Sequence, residues 1–291
     1  MSTKIIEIDR RQATLAKPAK LTGVSVRDFE PCYGEVLPAP DGHGIVFEIE
    51  GVRVPVSIRS FIKGGPNTTT LSAGGATVVT VEHLLAALHG LDIDNVLVRL
   101  GPGGIPFKDF SAESFTEALL AAGRRELDAP RSVIAVTAPF RVTVPGDDRY
   151  AEFLPAEDGG FEVDSVTEFP GLVGRQTARF ASGESDFARD LAWARSFCPR
   201  PIDQGGDRWA RVRARYPILP EDPRESPMVA FSSDGYLTPL RQPNELACHK
   251  LLDFLGDILL CGHFMSARVK LYKSGHTFNA VSARELVNRL A

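Results

Sequence analysis

The chain has 291 residues, with 33 Lys and Arg against 37 Asp and Glu and a formal net charge of −4. Hydrophobic residues make up 43% and charged residues 24%, a globular composition that excludes a disordered chain, while the mild acidity argues against a general nucleic-acid binder. No uninterrupted apolar run reaches membrane-span length; the nearest stretch, 251–272, is broken by Asp253, Asp257 and His263. The first twelve residues carry mixed charge without an apolar core of signal-peptide length. Cys32, Cys198, Cys248 and Cys261 lie far apart with no CxxC pair, which fits free thiols in a reducing compartment. The expectation is a cytoplasmic protein.

In chain order, residues 44–56 (GIVFEIEGVRVPV) show partial alternation around Gly51, the pattern of a hairpin. Residues 77–80 (TVVT) lead into a predicted helix over 81–89, followed by a strand over 94–100. A second helical pattern within 107–127 starts near Ser111. The polar stretch 123–131 (GRRELDAPR) interrupts the periodicity, and the domain boundary is placed there, giving domains of residues 1–127 and 128–291. The second half restarts with strand signals over 132–144 and 150–169. Residues 187–197 read as a helix capped by Asp186, and 199–227 as an irregular Pro- and Arg-rich stretch. A strong helix over 244–260, a strand over 267–273 and a helix over 282–290 complete the chain. EHLLAALHG (82–90) and HKLLDFLG (249–256) echo one another, each followed by a strand, which suggests two related α+β domains, each a sheet covered by helices.

The histidines carry the candidate chemistry. His249 and Asp253 stand four apart on a predicted helix, so both side chains leave the same face, as two metal ligands from one helix require; an ordinary i, i+4 pair uses the same spacing. His83 could offer a third ligand, and three protein ligands with an open fourth position suit a catalytic zinc, although the Glu82-His83 dipeptide by itself fits an ordinary helix start better. Glu82, about 100° around the helix, would flank the metal as a proton acceptor. His276 follows a strand in YKSGH, where an exposed loop histidine suits proton donation, with Asp257 to hold it protonated. His43 and His89 read as turn and helix-end histidines, and His263 as a helix C-cap. The run Arg208, Arg211, Arg213 and Arg215 reads as a solvated face, with a phosphate contact as the alternative. There is no GxGxxG or P-loop pattern.

Together LTGV (21–24), TVEHLLAALHGLDIDN (80–95), HKLLDFLGD (249–257) and YKSGHTFN (272–279), with weaker pieces IPFKDFSA, FPGLVGRQ, ARSF and the pattern Leu240, Arg241, Glu245, resemble the UDP-3-O-acyl-N-acetylglucosamine deacetylases, the LpxC family of lipid A biosynthesis. The pieces keep the family's order over nearly the whole chain. The resemblance implies an α+β fold of two related two-layer sandwich domains with the active site between them. It implies His83, His249 and Asp253 as zinc ligands, with Fe²⁺ as an alternative ion, Glu82 as general base and His276 as acid or electrostatic group with Asp257 behind it. Lys250, Lys273 and Phe197 match substrate-contacting positions, and Ser196 offers its hydroxyl to the oxyanion where the family usually has Thr. The implied partner is a nucleotide-linked acylated amino sugar, with no nucleic acid, no membrane span and a monomeric chain.

Three segments depart from the family pattern. Ser25–Phe29 replaces an LHSG-like turn; Lys108–Ala112 carries Phe110 at a small-residue position; and 224–231 (RESPMVAF) replaces a glycine-rich segment. Residues 161–173 offer a wall for an acyl passage, or simply core. These changes leave two alternatives open: the same hydrolysis on a different N-acetylated amino sugar, or a non-catalytic paralogue that binds zinc or ligand.

Overall fold

The alternating stretch at 44–56 folds as the expected hairpin in the computed structural model, which describes residues 1–64, 67–156, 159–198, 208–215 and 217–291. Its turn places Glu50 and Gly51 at φ 49° and 78°, the two consecutive positive values that a tight two-residue hairpin turn demands. The first half comprises β1 (Thr3–Leu15), β2 (Ala19–Ser25), β3 (Pro31–Pro38), β4 (Ile45–Ile49), β5 (Val52–Pro55), β6 (Phe61–Ile62), β7 (Thr70–Ala73), β8 (Ala76–Val79), α1 (Glu82–Gly90), β9 (Val96–Leu100), β10 (Pro106–Phe107) and α2 (Glu113–Ala122). The second half comprises β11 (Arg124–Val136), β12 (Phe140–Thr143), β13 (Tyr150–Leu154), β14 (Phe161–Glu168), β15 (Arg175–Ala181), α3 (Phe187–Asp190), α4 (Arg208–Arg215), β16 (Phe231–Ser232), β17 (Gly235–Tyr236), α5 (Glu245–Ile258), β18 (Phe264–Tyr272) and α6 (His276–Asn288).

Two main sheets organise the α+β fold. One runs β10-β2-β3-β9-β4-β5. The other runs β1-β11-β18-β13-β12, with β14 parallel to β18 and β15 on its far side. In β14, Phe161, Val163, Ser165 and Thr167 alternate inward, the period of a strand with one buried face. α2 packs on β2, α5 on β14 and β15, and α1 lies against both α2 and α5. Packing of α1 on α5 therefore joins the two echoing helices of the sequence.

Several elements differ from the sequence expectation. The polar stretch at 123–131 is no break: its residues from Arg124 onward belong to β11, paired with β1 as a ribbon with two register irregularities. Polar residues suit it because its early positions are mostly exposed, and its one buried cation, Arg131, bonds Asp92 Oδ1 at 2.6 Å and Asp94 Oδ2 at 2.8 Å. The helix expected over 187–197 stops at Asp190, although Asp186 caps it by accepting from Arg189 N–H. Beyond it the backbone bonds to other segments instead: Ala192 O accepts from Ala112, Ser196 N–H donates to Phe110 O, and Val229 N–H donates to Ser196 O. Within the stretch expected to be irregular, residues 199–207 and 216 lie outside the described residues, and α4 forms a helix. The side chains of Arg208, Arg211 and Arg215 also lie outside the description; Arg213 donates to Leu219 O. The last helix begins at His276, six residues before the expected start. Among the described residues no helix is long and apolar enough to cross a membrane.

Gly256 marks the crossing of α1 and α5: a Cβ there would stand 2.0 Å from Glu82 O and 3.0 Å from Ala86 N. A glycine inside a helix costs about 1 kcal/mol against alanine, and this close approach is its reason. Gly256→Ala is expected to destabilise the fold by roughly 1–3 kcal/mol in urea titrations. His263 departs from the reading of it, while His89 ends a helix as expected but is buried there. His263 sets its ring against the Ser132 backbone rather than the end of α5. His89, at the end of α1, is buried beside Phe161 and Phe264, and its Nδ1 has no hydrogen-bond partner. Burial pushes it down to about 4, with Asp92 opposing and Arg131 adding. Its folded value lies below the unfolded one, so its contribution is complete above about pH 6.5 and is lost as pH falls towards 4, by up to about 3 kcal/mol. His89→Leu is expected to show a smaller loss of urea midpoint between pH 7.5 and 5 than the wild type; an equal loss would refute the assignment.

Candidate metal centre and active site

Glu245, His249, Asp253 and Asp257 recur every four residues along α5, and all four are buried. This spacing keeps them on one slowly turning face. α1 brings Glu82 and His83 to that face at the Gly256 crossing.

Three of these groups converge. His249 Nε2 lies 3.4 Å and His83 Nε2 3.8 Å from Asp253 Oδ1, and one ligand atom from each residue falls within 4.8 Å of the others. Asp253 Oδ1 is buried and has no hydrogen-bond partner among the described residues. Two ligands each about 2.0–2.1 Å from a tetrahedral ion stand roughly 3.4 Å apart, so the spacing suits a shared cation better than direct hydrogen bonds. His249 Nδ1 lies 3.2 Å from Ala194 O and donates to it, which leaves the Nε2 lone pair for a metal. Burial pushes His249 down to about 3 and lowers His83, keeping both imidazoles neutral as ligands must be. Burial works against the charge of Asp253, but the charges of Lys250 and His276 beside it hold the carboxyl below its ordinary range. Two neutral imidazoles and a carboxylate form a donor set that fits zinc or iron(II).

A histidine and a glutamate flank this group. His276 Nε2 lies 3.6 Å from Asp253 Oδ2 and 4.0 Å from Glu82 Oε1, while its Nδ1 is 2.9 Å from Asp257 Oδ2. The sequence expectation of an exposed loop histidine is corrected: His276 is the first residue of α6, with only 10% of its side chain exposed. Burial opposes its charge, yet Asp253, Asp257 and Glu82 together raise its pKa. Burial raises Glu82, against the pull of His276, with Asp257 and Asp253 adding.

The remaining sequence candidates fall around this centre. Lys250 Nζ bonds Asp253 Oδ2 at 2.8 Å and sits 5.2 Å from the centre of the Phe197 ring. Phe197 meets His249 edge-on at 5.5 Å and Phe169 at 5.3 Å. The stretch 161–173 thus divides, with Phe161 and Val163 in the core and Phe169 beside the site. Ser196 is fixed by backbone bonds to Phe110 and Val229. Lys273 lies apart, paired with Asp148 and Glu168.

Sequence reading missed three supports. Arg195 Nε and Nη2 grip Glu245 Oε1 and Oε2 at 2.7 and 3.0 Å, tying the ARSF segment to the first turn of α5. Asn279 donates to Asp257 Oδ2 at 2.8 Å, and Thr69 joins the same carboxylate from the first half. The RS of ARSF and the Glu245 of the LR…E pattern held the only signal for the first; nothing in the run TTT (68–70) singles out Thr69.

A two-sheet α+β chain with a buried His–His–Asp group on two crossing helices has the donor set of a metal-binding protein, and comparison with known proteins narrows the class. The model of the LpxC family, described as UDP-3-O-acyl N-acetylglycosamine deacetylase, matches residues 12–288. The UDP-3-O-acyl-N-acetylglucosamine deacetylase of Myxococcus xanthus is 33% identical over 285 residues, covering 95% of this chain and 86% of its own. Those of Cellvibrio japonicus and Pseudomonas entomophila are 32% and 34% identical, covering 96% and 95% of this chain and 91% and 90% of theirs. The chain belongs to the LpxC family.

His249→Ala and Asp253→Ala are each expected to lower zinc content after purification and dialysis, measured by plasma emission spectroscopy. Unchanged occupancy in both would remove them from the ligand set.

Proposed function

We propose that this chain is a zinc-dependent deacetylase that hydrolyses the N-acetyl group of UDP-3-O-acyl-N-acetylglucosamine and releases acetate, as a step of lipid A biosynthesis. The observation that carries the reading is the convergence of His83, His249 and Asp253 with Glu82 and His276 on either flank. The names of the curated relatives supply the substrate.

In this reading His83, His249 and Asp253 hold the ion. Bound there, zinc supplies a Lewis acid that acidifies water and polarises the acetamide carbonyl. Glu82 Oε2 is held by the Thr69 N–H, which leaves Oε1 to accept the proton of the attacking water. Protonated His276, braced by Asp257, sets positive charge beside the developing oxyanion, and the Ser196 hydroxyl adds a donor. The leaving sugar nitrogen takes its proton from Glu82 or His276, so the amide C–N bond breaks with acetate and a free amine as products. Lys250, Lys273 and Phe197 contact the substrate. The domains 1–127 and 128–291 would contribute Glu82 and His83 from one side and His249, Asp253 and His276 from the other.

A second reading, the same hydrolysis on another N-acetylated amino sugar, is favoured by Phe110, whose buried ring packs with Cys198, Trp209 and Met228 close to Ser196. Acetate release from UDP-3-O-acyl-N-acetylglucosamine tests both. Glu82→Ala is expected to keep its zinc and lose roughly 10²–10⁴-fold in kcat. Zinc-loaded wild type without turnover on this substrate would move the assignment to another sugar, and full activity in Glu82→Ala would refute the role of the base.

A further inference from the structure

Thr69 spends all three of its polar groups on the two flanks of the centre. Its carbonyl accepts from Thr80 N–H at 2.9 Å and Val81 N–H at 3.3 Å, at the head of α1. Its N–H donates to Glu82 Oε2 at 3.0 Å. Its hydroxyl donates to Asp257 Oδ1 at 2.5 Å and stands 3.4 Å from His276 Nδ1. The residue is fully buried, so none of these bonds is shared with bulk solvent.

We propose that Thr69 is a positioning residue that sets base and acid at a fixed separation: its amide decides which oxygen of Glu82 faces the centre, and its hydroxyl holds the Asp257–His276 pair. The inference rests on the assignment of Glu82 and His276 as the proton-handling groups. Its physical basis is the demand of a buried carboxylate for donors. Asp257 receives three: Thr69 on Oδ1, His276 and Asn279 on Oδ2. His276 and Asn279 both come from α6, near Asp257 in the chain's second half; Thr69 alone reaches it from the first. Without the hydroxyl, Oδ1 has no donor from the segment that also holds Glu82. The carboxylate, held then by its Oδ2 donors alone, pivots more widely about that oxygen, and the His276 ring turns with it.

Val and Ser separate the hydroxyl from its packing. Thr69→Val keeps the volume and removes the donor; Thr69→Ser keeps the donor and removes a methyl. For loss of a hydrogen bond to a charged group, Thr69→Val is expected to lose roughly 10- to 100-fold in kcat. KM for UDP-3-O-acyl-N-acetylglucosamine and zinc content should match the wild type. Thr69→Ser is expected to restore most of that loss. Full activity in Thr69→Val, or damage in Thr69→Ser equal to that in Thr69→Val, would overturn the proposal in favour of a packing role.

A second readout needs neither substrate nor metal. In ¹⁵N-histidine-labelled, metal-free protein, the His276 Nδ1 proton, assigned by its absence in His276→Gln, is expected to shift in Thr69→Val and to return in Thr69→Ser. An unmoved signal in Thr69→Val overturns the proposal. If the wild type fails to turn over this substrate while the signal moves as expected, the substrate assignment falls and the positioning role stands.

Discussion

The face of α5 that carries Glu245, His249, Asp253 and Asp257 governs much of what the rest of the chain must do. An ionised carboxylate taken out of water costs several kcal/mol unless partners replace its hydration. Three carboxyls on one buried helix therefore oblige other segments to come to them. Arg195 answers Glu245 with a two-pronged pair, and Thr69, His276 and Asn279 answer Asp257. Asp253 differs: Lys250 meets one oxygen, while the other faces two neutral imidazoles and has no hydrogen-bond partner among the described residues. That uneven satisfaction sets Asp253, whose free oxygen would suit a cation, apart from Glu245 and Asp257, whose oxygens are met by side chains of the protein.

The same helix sets the distance between the halves. Gly256 lets the backbone of α1 approach so closely that Glu82 O would touch any added Cβ. Glu82 and His83, the first two residues of α1, thereby reach the carboxylate face of α5 without long side-chain excursions. The close approach also requires the start of α1 to be held. Thr80 takes a positive φ of 60°, an uncommon state for a β-branched residue, while donating to Thr69. The Thr80 and Val81 N–H groups hold that turn by donating to Thr69 O, and the N–H of the same Thr69 holds the Glu82 carboxylate.

How much of this the sequence disclosed depended on whether the information was local. The hairpin at 44–56, helix α5 and the i, i+4 pair of His249 and Asp253 follow from periodicity and turn chemistry carried within a few residues. From the residues alone His83, Glu82 and His276 are only options beside the His249–Asp253 pair, and the resemblance to a family is what joins them to it, because no spacing rule links residue 83 to residue 249. The failures have one cause. Residues 191–198 have helical composition, but their carbonyls and amides are claimed by Ala112, Phe110 and Val229, so tertiary bonding overrides propensity. β11 looks polar because its early part is an exposed ribbon whose partner, β1, lies more than a hundred residues away. His276 looks like a loop residue because SGH is a turn sequence, yet Gly275 accepts the first helical bond from Asn279, the residue that also supports Asp257.

The altered loop at Lys108–Ala112 follows a comparable exchange of costs. Phe110 has φ 59°, a left-handed conformation that costs a bulky side chain about 1–2 kcal/mol and that a glycine would adopt freely. Its ring is buried with Cys198, Trp209, Leu219 and Met228, and full burial of a phenylalanine side chain contributes roughly 1.5–3 kcal/mol. The gain is of the same size as the strain or larger, so the substitution is sustained by packing onto the second half. Its carbonyl holds Ser196 N–H, while neighbouring Asp109 pairs with Arg241 at 2.6 Å. Arg241 in turn bonds Trp193 O at 2.7 Å, and its N–H donates to Glu245. The loop thus runs through Arg241 to the first carboxylate of α5, and Phe110 is part of the bonded network beside the site rather than standing outside it.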